Sequence, residues 1–120
     1  MPQLFRFATF LLVFCLFTIG SIPATGQAFP GLMHYAAHLM AYAVIAFSFG
    51  FGWPKINSVL VAIIVAAIGC FHEFTEIVTH HHSFEANDVV INALGATIGV
   101  IILILLRKLK RREVSEQTIS

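Results

Sequence analysis

Residues 70–99 read CFHEFTEIVTHHHSFEANDVVINALGATIG. They hold four of the chain's six acidic residues and four of its six histidines. On either side the chain is apolar for long enough to cross a bilayer as a helix. An Asp or Lys at the bilayer centre costs roughly 2.5–3.5 kcal/mol on insertion scales. Polar groups crowded beside membrane-length apolar runs therefore need a structural or chemical reason to be there. The stretch marks the chain as a membrane helix bundle and shows where its chemistry would lie.

Composition leads to the same class. The chain has 120 residues, 58% hydrophobic and 11% charged, with a mean hydropathy of +0.89. Soluble domains are about one quarter charged, and a single domain of this length has too little interior to hide so much apolar surface. The net charge of +1 carries less information than the placement of the charges. Cys15 and Cys70 fall inside apolar runs and read as small packing residues; two cysteines make no metal framework.

Four apolar segments can be drawn, at about 4–22, 33–51, 56–78 and 89–106. Each is near the roughly 20 residues that a helix needs to cross about 30 Å of hydrocarbon. Helices satisfy their own backbone hydrogen bonds, which lipid requires. Pro23, Gly26, Pro30 and Gly31 break the chain after the first segment, and GFGWP at 50–54 after the second, with Trp53 suited to an interface. Connections this short make consecutive helices antiparallel neighbours. The expected fold is an all-α, four-helix integral membrane bundle forming one domain.

Its orientation follows from the seven basic residues, Arg6, Lys55, Arg107, Lys108, Lys110, Arg111 and Arg112. With four spans all seven lie on one side, which the positive-inside rule makes cytoplasmic, together with both termini. The polar cluster then faces outward. The tail from 107 to 120 is basic, then polar, and reads as an anchor for anionic lipid headgroups, with no nucleic-acid role. The first segment also resembles a signal peptide, with small residues at Gly26-Gln27-Ala28 as a cleavage site. We read it as a retained helix, with cleavage as the competing view; the other three spans keep their orientation either way.

On the third span, Glu73 and Glu76 share a face at i,i+3, and His72–Glu76 and Glu76–His80 are i,i+4 pairs. Two carboxylates beside imidazoles suit a metal site, a general acid/base pair or a proton carrier. The plain alternative is that they reach water or cap a neighbouring helix. HEFTE lacks the second histidine of the HExxH zinc pattern, Glu76 standing in its place. We assign no metal from sequence, and His72, Glu76 and His80 are the weak candidates for one. The run His80-His81-His82 cannot turn three side chains to one ion from a regular helix and reads first as surface histidine.

The fourth span opens on Asn87-Asp88, either of which can N-cap it. Asp88, Asn92, Gly95 and Gly99 follow at helical spacing. Gly95 and Gly99 form GxxxG, which allows close packing in lipid and is expected to bring Asp88 and Asn92 to the third helix. On the second span, His34, His38 and Tyr42 make a stripe at i,i+4 steps. An intramembrane histidine normally points into the bundle, and Glu73, Glu76 and Asp88 are its expected partners.

In order and spacing, these residues resemble the VanZ-like family of small bacterial membrane proteins. His38 and Tyr42 match its HxxxY motif, Glu73 its conserved glutamate, Ser83-Phe84 its loop, and Asp88, Asn92, Gly95 and Gly99 its DxxxNxxGxxxG motif. The resemblance covers about residues 31–106. Four positions depart from the pattern: Glu76 where the family usually has Gln, His82 where it often has Arg, and His34-Tyr35 where Asp-Lys is frequent. Each changes the charge of the site. The resemblance implies a multi-pass protein of the bacterial cytoplasmic membrane and a link to glycopeptide (teicoplanin) resistance, without an assigned reaction or cofactor.

The residues expected to form a polar pocket are His38, Tyr42, Glu73, Glu76, Asp88 and Asn92, with Glu73, Asp88 and His38 the candidates for chemistry and Gly95 and Gly99 for packing. The expected function is binding or modification of an outer-face lipid or cell-wall component. The alternatives are a proton- or ion-coupled transporter, in which GxxxG would supply a homodimer interface, and a non-catalytic scaffold. With Cys15 and Cys70 changed to serine, Ser83→Cys is expected to react with an impermeant maleimide in intact cells, and Ser115→Cys only after the membrane is opened. The opposite labelling would invert the topology.

Overall fold

The computed structural model describes residues 1–20, 31–80 and 86–119. Four helices and no strand occur among them: α1 (Pro2–Gly20), α2 (Leu32–Gly52), α3 (Ser58–His80) and α4 (Ala86–Ile119). All four are long and apolar enough to cross a membrane, the architecture of a multi-pass membrane protein. At 1.5 Å per residue they measure about 28 to 51 Å, against about 30 Å of hydrocarbon. The first three end within a few residues of the apolar runs. Helix α4 does not stop where its apolar run does. It continues through Arg107 to Ile119, so the basic tail is a helical extension.

The bundle buries polar side chains beside an apolar core and is apolar outside. Phe7, Phe10, Phe14, Met40, Ile63, Phe74 and Leu105 are exposed, while His72, Glu73, Asp88 and Asn92 are buried. A water-soluble protein would not expose so large an apolar surface; lipid makes it the stable arrangement. Cys15 and Cys70 are exposed free thiols, a correction to their expected packing role: both fall on the outward side of their helices.

The closest helix pair is not consecutive in the chain. Helix α4 packs most extensively on α2, then on α3, while α1 lies mainly against α2. The cause is the glycine face of α4. A Cβ at Gly95 would sit 2.5 Å from the Leu39 carbonyl oxygen, and one at Gly99 would run into the Ala43 carbonyl. Both neighbours are α2 backbone, which cannot rotate away as a side chain would. The glycines therefore seat α4 on α2, while Asp88 and Asn92 meet α3 as expected, at Glu73 and Glu76 and at Gly69. Burial of both glycines inside the chain also removes GxxxG as a homodimer interface.

Local signals set the helix ends. The Asn57 side chain accepts a hydrogen bond from the Val59 amide at 2.8 Å, capping α3. The last carbonyls of α2 lack intrahelical donors and are met by arginine. Arg6 Nε donates to Gly52 O at 2.6 Å, and Arg107 donates to Gly50 O at 2.8 Å and to Ser58 Oγ at 2.9 Å. The guanidinium of Arg6 also lies 5.5 Å from the centre of the Trp53 ring. The start of α1, the α2–α3 turn and the basic part of α4 thus share one end of the bundle. At the other end of α4, Asn87 and Asp88 lie in the first turn and not at its cap. Asp88 keeps its favourable place near the positive helix terminus.

Gly95→Ala and Gly99→Ala are each expected to destabilise the protein by about 1–3 kcal/mol through overpacking against α2. Unfolding of the detergent-solubilised protein measures this. Ala66→Gly on α3, away from the α2–α4 contact, is expected to lack that overpacking loss and to show at most the intrinsic helix effect of about 1 kcal/mol.

Candidate functional site

The inward stripe of α3 runs Val61, Val65, Gly69, His72, Glu73, Glu76, the i,i+3/i+4 spacing of one helix face. It turns from apolar to small to polar along its length. Helix α4 shows the same gradient in reverse, from Asp88 and Asn92 through Gly95, Ala96 and Gly99 to Val100 and Leu103. Helix α2 follows, from His38 and Tyr42 to Ile45 and Ala46. With α2 and α4 parallel and α3 antiparallel to both, the three polar halves meet at the end away from the arginines. Glu73 lies fifteen residues beyond Ser58, about 22 Å along the helix.

The six pocket residues are all buried, with Tyr42 and Glu73 at 0% exposure and Glu76 at 9%. They do not simply reach water at a helix end. His38 Nδ1 lies 2.8 Å from Asn92 Oδ1. An amide oxygen only accepts, so Nδ1 carries the proton and donates, joining α2 to α4. One turn nearer the helix ends, His34 Nε2 is 3.5 Å from Asp88 Oδ1. On α3, His72 Nε2 is 3.7 Å from Glu76 Oε1. The His38 and His72 ring centres are 6.0 Å apart, and those of Tyr42 and His72 6.3 Å.

One carboxylate oxygen from each of Glu73, Glu76 and Asp88 lies within 4.8 Å of the other two. This trio is the metal-competent geometry among the described residues. It retains Glu76 from the sequence candidates and adds Glu73 and Asp88. His72 stands beside it against Glu76. Of His80 only the backbone, at the end of α3, is described; His81, His82 and the Ser83-Phe84 match lie outside the described residues, as does Gly26-Gln27-Ala28.

Three contributors were not singled out in the sequence. Gly69 has a Cβ position 2.9 Å from Asn92 Cβ and 3.3 Å from Tyr42 Cε1, so a glycine there lets Asn92 and Tyr42 come together beneath the carboxylates. Its signal was its place on the stripe one turn before Glu73. A Cβ at Gly20, at the end of α1, would run into the His72 imidazole in the same way and sit 3.4 Å from Glu76 Oε1. The Phe17 and His72 rings meet edge to face with their centres 5.1 Å apart. Neither α1 residue belongs to a polar pattern, and only the packing of α1 over α3 reveals them. Together they close one side of the site.

The arrangement can exchange protons between imidazole and carboxylate, donate hydrogen bonds, or hold a cation. No family model, curated protein or solved structure matches the chain. A double-mutant cycle of His38→Ala and Asn92→Ala is expected to give a coupling of about 0.5–2 kcal/mol, read from unfolding in detergent. Additive effects would mean that the hydrogen bond contributes nothing to stability.

Proposed function

We propose that this chain is a VanZ-like integral membrane protein of the bacterial cell envelope. It sits in the cytoplasmic membrane with both termini cytoplasmic, and its polar centre binds or modifies an outer-face lipid or cell-wall component. The family resemblance links that role to glycopeptide (teicoplanin) resistance. One observation carries the proposal: His38, Tyr42, Glu73, Asp88 and Asn92, which carry much of the resemblance, are buried together with Glu76 at one end of the bundle. Burying ionisable groups in so apolar a chain is expensive, and packing alone would be met more cheaply by apolar residues.

In this role Glu73 and Asp88 act as acid/base or ligand-binding groups. His38, its tautomer set by Asn92, orients a ligand or exchanges a proton through its other nitrogen. Asn92 holds α4 to α2. The basic residues at the opposite end, with Arg6 and Arg107 tied to α2 carbonyls, anchor the bundle to anionic headgroups of the inner leaflet.

A proton- or ion-coupled transporter is the second reading, favoured by the paired His34–Asp88 and His72–Glu76 contacts. Four helices are few for transport, and a homodimer would need a face other than Gly95 and Gly99. In a scaffold, by contrast, polar substitutions would reduce function only as far as they reduce protein level.

Glu73→Gln and Asp88→Asn are each expected to reduce complementation of a deletion strain by roughly tenfold or more at matched membrane level. Ile101→Ala, an exposed position, is expected to complement fully. Glycopeptide susceptibility and membrane abundance, measured together, decide it. Full complementation by both carboxylate variants would remove the proposal, and proton flux in vesicles lost with Glu73→Gln would replace it with transport.

A further inference from the structure

Glu73, Glu76 and Asp88 concentrate carboxylates at one buried point, where His34 against Asp88 and His72 against Glu76 are neighbouring basic side chains. All three are buried, with one oxygen of each within 4.8 Å of the others. Buried carboxylates this close cannot all remain ionised without a counter-charge. The chain's lysines and arginines fall at the other end: Arg6 and Arg107 are bonded to the end of α2, Lys55 lies in the α2–α3 turn, and the rest follow Arg107.

A second observation points to a ligand. Tyr42 is fully buried, and its hydroxyl has no hydrogen-bond partner among the described residues. The phenol lies beside His72, with ring centres 6.3 Å apart, and within electrostatic reach of both Glu76 and Glu73. A buried hydroxyl left without a partner costs about 1–3 kcal/mol. A ligand atom or a bound water between the carboxylates and this hydroxyl would recover it.

From these two observations we infer that Glu73, Glu76 and Asp88 form a binding site for one hard divalent cation of the manganese or magnesium type. Three oxygens no more than 4.8 Å apart share a centre within about 2.8 Å of each, at most about 0.7 Å beyond the roughly 2.0–2.1 Å of Mg²⁺–oxygen bonds. Small side-chain rotations close that gap. The ion cancels two of three negative charges, and His34, 3.5 Å from Asp88, is placed to orient that carboxylate from outside. A carboxylate-dominated donor set favours Mn²⁺ or Mg²⁺ over the softer ions that histidine- and cysteine-rich sites select. Three protein oxygens leave further coordination positions for water or for a ligand oxygen, such as a phosphate. The inference rests on the same centre as the proposed function but requires no substrate.

The full chain, purified in detergent without a histidine tag and stripped with EDTA, is titrated with Mn²⁺ while the EPR signal of free Mn²⁺ is followed. One Mn²⁺ per chain is expected, displaced by Mg²⁺, with affinity at least about tenfold weaker in Glu73→Gln and in Asp88→Asn. The triple variant His80→Ala/His81→Ala/His82→Ala is expected to bind as the parent does. Absence of binding by the parent overturns the inference, as does binding that survives both carboxylate substitutions or is lost in the histidine variant. Should the carboxylate variants fail to fold, the parent's thermal unfolding decides: Mn²⁺ is expected to raise its midpoint by linkage, and no shift overturns the site. Complementation separates the two proposals. Mn²⁺ binding with full complementation by Glu73→Gln keeps the ion and removes the functional proposal; no Mn²⁺ with failed complementation does the reverse.

Discussion

The close approach of α4 to α2 at Gly95 and Gly99 is the contact on which the rest of this structure depends. Lipid offers no hydrophobic driving force between helices, so association relies on packing and on interhelical hydrogen bonds. Two missing side chains let the α4 backbone come down onto the carbonyls of Leu39 and Ala43. That approach brings Asn92 within 2.8 Å of His38 and Asp88 within 3.5 Å of His34. A larger residue at either glycine would separate both pairs together, since α2 and α4 run parallel and share the whole polar half of their contact.

The third helix completes the centre from the other side. Its inward stripe changes character at Gly69, which makes room for Asn92 and Tyr42. Above Gly69 the same stripe presents His72, Glu73 and Glu76. Helix α1 contributes no acid or histidine, yet Phe17 and Gly20 lie against His72. A low-dielectric surround strengthens every interaction inside and also makes any unbalanced charge there costly, so the acidic trio and the hydroxyl of Tyr42 pose one chemical question.

The two ends of the bundle divide the charge between them. Arg6 and Arg107 donate to the carbonyls at the end of α2, and the remaining basic residues stand along the α2–α3 turn and the projecting end of α4. Imidazoles stand beside the acids of the centre, His34 at Asp88 and His72 at Glu76. Such a separation keeps the basic end suited to headgroups and leaves the acidic end to select its own cation or donor.

Much of this was legible in the sequence alone. Four apolar runs of membrane length, the placement of all basic residues on alternate connections, and the i,i+3/i+4 spacing of Glu73, Glu76, Asp88 and Asn92 are one-dimensional properties, because a helix converts spacing directly into a face. The bundle and the list of inward polar residues follow from them. Which helices meet is a different matter, since spacing on one helix carries no information about the partner across from it. Only the tertiary structure decided that the glycines of α4 meet α2, that His38 meets Asn92, and that the three acids converge. It also decided that Gly69, Gly20 and Phe17 shape the centre: their contribution is shape, a missing Cβ or a ring edge, and it acquires meaning only beside the atoms of another helix.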